Sequence, residues 1–180
     1  MANNTPIIII PATTSYHLSQ IHTLFLTYTS SLNLDLSYQS LNTELSTLPG
    51  AYAPPSGRLF LAVSRTGDAI GCVGLRKLPS DDQGTCCDSR PKVAEMKRLY
   101  AVPAARGTGV GRCLAEAAIQ GARDAGYETV KLDTLGTMHG AMALYRSLGF
   151  VECGRYYDTP VDGTRFFELD LRKSSGSRCQ

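Results

Sequence analysis

The run Arg106-Gly107-Thr108-Gly109-Val110-Gly111-Arg112, set between a strand-like and a helix-like segment, constrains this chain more than any other feature. Lys92 to Val102 has strand character and ends at Pro103. Leu114, Ala117, Ala118, Ala122 and Ala125 then mark the buried stripe of a helix that stops at Gly126. A strand, a glycine turn and a helix N-terminus in that order leave main-chain N–H groups without intrahelical acceptors, at the positive end of the helix dipole. Glycines there let an anion reach the bare main chain, so the run reads as a seat for a phosphate or pyrophosphate.

Spacing separates the known phosphate turns. The Walker loop needs Gly-Lys followed by Ser or Thr, but Gly111 is followed by Arg112 and Cys113. The dinucleotide fingerprint needs a glycine three residues after its second, and that position is Arg112. What remains is [Arg/Gln]-x-x-Gly-x-Gly, satisfied by Arg106, Gly109 and Gly111. Standing alone this motif is weak, and a glycine turn that binds nothing would look the same.

The rest of the chain supplies a frame for it. Thr5 to Ala12 reads as an edge strand, with Thr13, Thr14 and Ser15 as N-cap candidates for a helix carrying Leu18, Ile21, Leu24, Phe25 and Tyr28 on one face. Leu41, Leu45 and Leu48 continue the pattern in a second helix stopped by Pro49-Gly50. Arg58 to Ser64 and Ala69 to Lys77 read as a hairpin turned at Arg65-Thr66-Gly67-Asp68, and Leu78 to Pro91 as an exposed loop. Thr129 to Leu135 is a strand and Met138 to Leu148 a helix closed by Gly149. Phe150 to Tyr157 pairs with Arg165 to Leu171, and Lys173 to Gln180 is a polar tail. The expected order is β-αα-βββ-α-β-α-ββ in one domain, 1–172.

Composition narrows the function classes. A net charge of +2, from 18 basic and 16 acidic residues, provides no extended basic field, which argues against nucleic acid as a partner. The aliphatic run Ile7 to Ile10 is too short to span a bilayer and lacks the flanks of a signal peptide, so a cytoplasmic protein without membrane attachment is expected. Six cysteines without paired C-x2-C spacing are read as mostly reduced thiols and not as a metal site, the adjacent Cys86-Cys87 included.

Three segments together resemble the GCN5-related N-acetyltransferases: Glu95-Met96-Lys97-Arg98-Leu99-Tyr100-Ala101-Val102-Pro103, the glycine turn, and Ala141-Met142-Ala143-Leu144-Tyr145-Arg146-Ser147-Leu148-Gly149-Phe150. The resemblance runs from Ile7 to Leu171. It implies an α/β (α+β) fold with a mixed, mostly antiparallel seven-stranded sheet flanked by about four helices, opening between its fourth and fifth strands. It also implies acetyl-coenzyme A as cosubstrate, no metal, and a small-molecule amine as acceptor. Homodimers are common in that family, and a homodimer is compatible with this chain.

The resemblance assigns roles residue by residue. Main-chain groups of Leu99, Tyr100, Ala101 and Val102 would meet the pantetheine arm, one of them the thioester oxygen. Arg106, Gly107, Thr108, Gly109, Val110, Gly111 and Arg112 would hold the pyrophosphate. Tyr145 matches a tyrosine that protonates the departing thiolate, with packing beside Leu144 and Leu148 as the alternative role. Glu95 stands where several members carry a general base, or is a surface glutamate paired with a nearby cation. Tyr157, Asp158, His139 and Glu168 are other bases that the sequence does not rank. An asparagine common in the family, three residues before the Ala-x-x-Leu-Tyr segment, is Met138 here.

The acceptor is not legible. It would be set by 16–48, 78–91 and Tyr156 to Arg165, with Tyr52, Tyr156 and Tyr157 as pocket candidates. A peptide or protein amine is the first rival, and a non-catalytic acyl-coenzyme A sensor is the second. No Cys-His pairing supports a covalent route.

Overall fold

The computed structural model of the 180-residue chain describes residues 7–32, 41–78 and 92–172. The expected loop beyond Leu78, with Cys86-Cys87, and the tail 173–180 lie outside the described residues, as do Thr5 and Pro6.

Seven strands form one sheet: β1 (Ile8–Pro11), β2 (Arg58–Val63), β3 (Ala69–Lys77), β4 (Val93–Ala101), β5 (Thr129–Leu135), β6 (Val151–Cys153) and β7 (Thr164–Asp170). Among the described residues four α-helices lie between them: α1 (Ser15–Ser31), α2 (Leu41–Ser46), α3 (Val110–Asp124) and α4 (His139–Ser147). The strand order is β1-β2-β3-β4-β5-β7-β6, and every pairing is antiparallel except β4 with β5. The expected element order and the seven-stranded α/β architecture are therefore present.

Local chemistry sets the element ends. Thr14 caps α1 by accepting from the His17 N–H at 3.1 Å, a contact of about 1 kcal/mol. Gly126, at φ 76°, ends α3 with its N–H on the Arg123 carbonyl. Alternation in β5 sends Val130 and Leu132 into one core with Leu114, Ala118 and Ala122 of α3 and Met142 and Tyr145 of α4. Ile21, Leu24 and Phe25 of α1 and Leu45 of α2 form a second core on the opposite face, with Leu59, Leu61 and Tyr100.

Two expectations change in detail. The sixth strand is three residues long where Phe150 to Tyr157 was expected, because after Gly154 the Tyr156 and Tyr157 rings turn to pack edge-on against Phe166, at 5.1 and 5.4 Å. The fourth strand ends at Ala101, one residue before Val102, where Pro103 opens a single 3-10 turn. Among the described residues no helix is long and apolar enough to cross a membrane.

Candidate active site

The parallel ladder between β4 and β5 is short. Only Val93, Ala94 and Glu95 pair with Thr129, Val130 and Lys131; beyond them the two strands part. Part of the cause lies in β4, where the register against β3 shifts between Cys72 and Gly74 and Arg98 adopts φ 58°. A bulge of this kind bends its strand and redirects side chains. The positive φ strains a non-glycine residue and persists only where surroundings hold it. Here the Arg98 guanidinium is held by Glu44 of α2, through Nε at 3.1 Å and Nη2 at 2.8 Å.

The opening is a cavity of about 100 Å³. Met96 to Leu99 of β4, Asp133 to Leu135 of β5, Met138, Ala141 and Tyr145 line it, with Tyr28, Leu32, Val161 and Thr164 around them. A water needs about 10–15 Å³ of such space, so the cavity has room for several waters or a small polar group. Tyr145 is 6% exposed, and no described residue takes its hydroxyl in a hydrogen bond. Burial first, then Tyr28 and Asp133, push this phenol well above its ordinary pKa. The same desolvation raises Tyr28 to about 12.

Next to the cavity, β4 runs into the glycine turn. Gly107 and Gly109 have φ of 76° and 96°, and α3 starts at Val110. Among the described residues the N–H groups of Gly107, Gly109, Val110, Gly111 and Arg112 find no main-chain acceptor outside regular helix pairing, whereas Thr108 N–H reaches the Ala105 carbonyl at 3.4 Å. Arg106 lies over the Tyr100 ring at 5.9 Å, and Arg112 donates to the Ser147 hydroxyl at 2.6 Å. This is a donor-rich turn with two arginines, and it fits a pyrophosphate. Val102 is tied down on both sides, its N–H on the Ile70 carbonyl and its carbonyl on the Ala105 N–H; Tyr100 and Ala101 pair with β3, the Ala101 carbonyl also accepts from Arg106 Nε at 3.3 Å, and Leu99 is the one of these four residues that lines the cavity.

Glu95 is 2% exposed and does not line the cavity. Its Oε2 accepts from Arg76 Nε at 2.9 Å and Nη2 at 2.7 Å, and its Oε1 from the Tyr156 hydroxyl at 3.0 Å, with Lys97 Nζ at 3.6 Å. Lys97 Nζ lies 2.8 Å from Asp133 Oδ1 and 5.6 Å from the Tyr157 ring centroid. A belt of buried charge therefore runs over this face of the sheet, from Glu44 and Arg98 to Asp133. The pattern Met-Lys-Arg in β4 was the only sequence signal for Lys97 and Arg98, and nothing in it named Glu44 or Asp133 as partners.

The other candidates disperse. His139 and Asp158 are exposed, Asp158 beside Arg155, and Glu168 pairs with Lys131 at 3.5 Å. Tyr52 is buried and donates to Glu44 at 2.8 Å. At Met138 the sulfur receives the Thr134 hydroxyl at 3.6 Å. The described cysteines, Cys72, Cys113 and Cys153, are free thiols, and burial pushes the Cys72 thiol far up.

Comparison with known proteins agrees with this geometry. The model of the acetyltransferase (GNAT) family matches residues 18–150. An uncharacterised N-acetyltransferase of Schizosaccharomyces pombe is 34% identical over 146 residues, 81% of this chain and 83% of that protein. A GNAT-family acetyltransferase from Staphylococcus aureus has a similar structure, with TM-score 0.70, 19% identity and coverage of 92% and 99%. The NatC complex bound to Gag peptide and coenzyme A contains a chain with TM-score 0.65, 20% identity and coverage of 92% and 98%. A family match of that extent, on a sheet that splits at the strands where the family splits, has one reading: this chain belongs to the acetyltransferase (GNAT) family.

Proposed function

We propose that this chain moves an acetyl group from acetyl-coenzyme A to a primary amine of a small molecule or amino acid, by direct attack within a ternary complex. One observation carries the reading: the unpaired amides of the glycine turn lead directly into a gap between β4 and β5 that holds Tyr145. Acetyl-coenzyme A, when bound, supplies an activated acetyl thioester. The turn from Gly107 to Arg112 holds its pyrophosphate, with Arg106 and Arg112 adding charge, and the main chain of Leu99 to Ala101 lies along the pantetheine arm. One strand N–H faces the thioester oxygen, where a hydrogen bond strengthens as negative charge develops.

Tyr145 donates to the departing sulfur. Its raised pKa keeps the phenol protonated, and a thiol's ordinary value of about 8.5 lies far below it. Simple transfer of its proton is therefore uphill, and it proceeds only together with the proton released by the attacking amine.

A peptide acceptor is the second reading, favoured by the likeness in fold to a chain of the NatC complex, which was solved bound to Gag peptide and coenzyme A. An acetyl-coenzyme A dependent thiol-release screen over polyamines, amino acids, aminoglycosides, arylamines and peptides separates the readings. Release with a small amine supports the proposal, and release with peptides alone favours the second reading. Coenzyme binding without acceptor-dependent release would leave a sensor.

A further inference from the structure

We infer that Asp133, paired with Lys97 beside the β4–β5 gap, receives the proton of the incoming ammonium, while Glu95 serves as a structural counter-ion of Arg76. The inference rests on the proposed acetyl transfer and names the group that makes its acceptor nucleophilic.

Only a free amine has the lone pair that attacks a thioester, so an ammonium acceptor must first lose a proton. Two carboxylates from neighbouring strands lie near the gap, and their surroundings differ. Glu95 is shut away from the cavity, and both of its oxygens already face donors, from Arg76, Tyr156 and Lys97. Asp133 lines the cavity together with Tyr145. Its side chain is 16% exposed; Oδ1 holds the Lys97 ammonium at 2.8 Å, and Oδ2 accepts no hydrogen bond from the described residues. The position follows from the strand: Val130 and Leu132 fill the core under α3 and α4, so Asp133 projects from the other face where β5 has left β4.

The pair itself indicates the ligand chemistry. Lys97 presents an alkylammonium to Asp133, and an acceptor's ammonium offers the same donors to the remaining oxygen. The other charged or titratable groups facing Asp133 are Arg98 on β4, Tyr28 on α1, Tyr145 on α4 and Tyr156 after β6. The three tyrosines stay neutral through the assay range, because burial raises each phenol.

The acceptor ammonium gives one proton to the Asp133 carboxylate. The freed lone pair forms the C–N bond to the thioester carbon, and the C–S bond breaks with its electrons on sulfur. Sulfur takes the Tyr145 hydroxyl proton, and the second proton leaving nitrogen restores Tyr145. Asp133 releases its proton to water. The products are one acetamide, one thiol and one proton.

The test uses the full chain, acetyl-coenzyme A and the best amine from the thiol-release screen. Asp133→Asn should lower kcat/KM about 100-fold or more at pH 7. An amine like lysine gains free base about tenfold per pH unit below its pKa of about 10.4, so the ratio of wild type to variant should shrink as pH rises to 10. Calorimetry should show acetyl-coenzyme A affinity unchanged, and affinity of the amine for the coenzyme A complex about tenfold weaker. The double variant Lys97→Met with Asp133→Asn removes both partners, avoids an orphaned ammonium, and should show the same pH-dependent ratio. Glu95→Gln should give a ratio independent of pH. A constant ratio for Asp133→Asn, no loss at all, or the pH-dependent loss appearing in Glu95→Gln would overturn the assignment alone. A wild-type chain that binds acetyl-coenzyme A and acetylates no amine would overturn the proposed function along with it.

Discussion

Tyr145 sits in the inner core of the α3–α4 side, its ring 5.9 Å from Phe150 and 6.1 Å from Phe167, with its hydroxyl end at the cavity. The ring packs in the core while the side chain also lines the gap, and Tyr145→Phe separates packing from the proposed proton donation because it keeps the ring. Turnover should fall about 100-fold with acetyl-coenzyme A affinity within about threefold, measured by steady-state kinetics and calorimetry; full turnover would reduce Tyr145 to a packing residue. This tyrosine was legible in the sequence because Leu144, Leu148 and Gly149 fix its place at the end of a helix. Asp133 was not. Alternation in Thr129 to Leu135 shows that Asp133 shares a face with Lys131, but its partner Lys97 lies 36 residues away on another strand.

At the scale of elements, the glycine turn was legible because its demand is local. Gly109 is the N-cap of α3 at φ 96°, and a side chain there would meet only the Ile7 Cδ1 atom, at 3.9 Å. Space is not the constraint; backbone conformation and access for an anion are. A β-branched residue is strained at that φ by roughly 1–2 kcal/mol, and its methyls would stand beside the bare amides. Gly109→Val should therefore weaken coenzyme A binding about tenfold or more by calorimetry. Gly111 has no positive φ, and an added Cβ would make ordinary contact with Leu144 at 3.6 Å, so Gly111→Ala should fold normally. Unchanged affinity in Gly109→Val would remove the phosphate-turn assignment. The β4 bulge, by contrast, left no trace in the sequence: Lys92 to Val102 reads as one strand, and only the fold shows the register shift at which Lys97 meets Asp133 of β5 and Arg98 meets Glu44 of α2.

Across the whole molecule, the charged belt links the helix layer to the sheet. Glu44 on α2 holds Arg98, Arg98 occupies the bulge, and the bulge lies where β4 parts from β5. Removing one partner of a buried pair leaves the other uncompensated, so Glu44→Gln should cost about 3 kcal/mol near neutral pH. Burial alone would raise the Glu44 carboxyl. The Arg98 hydrogen bonds and charge outweigh it, with help from Tyr52 and Arg76, and the folded-state pKa falls below the ordinary 4.5. An acid whose pKa is depressed by folding stabilises the native state above its unfolded value and loses that contribution as pH falls through its folded value. The wild-type urea midpoint should therefore decline below pH 4.5, while Glu44→Gln, starting lower, should show a shallower decline, so that the two converge in acid. Parallel curves from pH 7 to pH 3 would mean that the pair does not couple α2 to the strand. Convergence accompanied at neutral pH by a larger loss of turnover than of coenzyme affinity would place the effect in the gap, which Arg98 lines from β4.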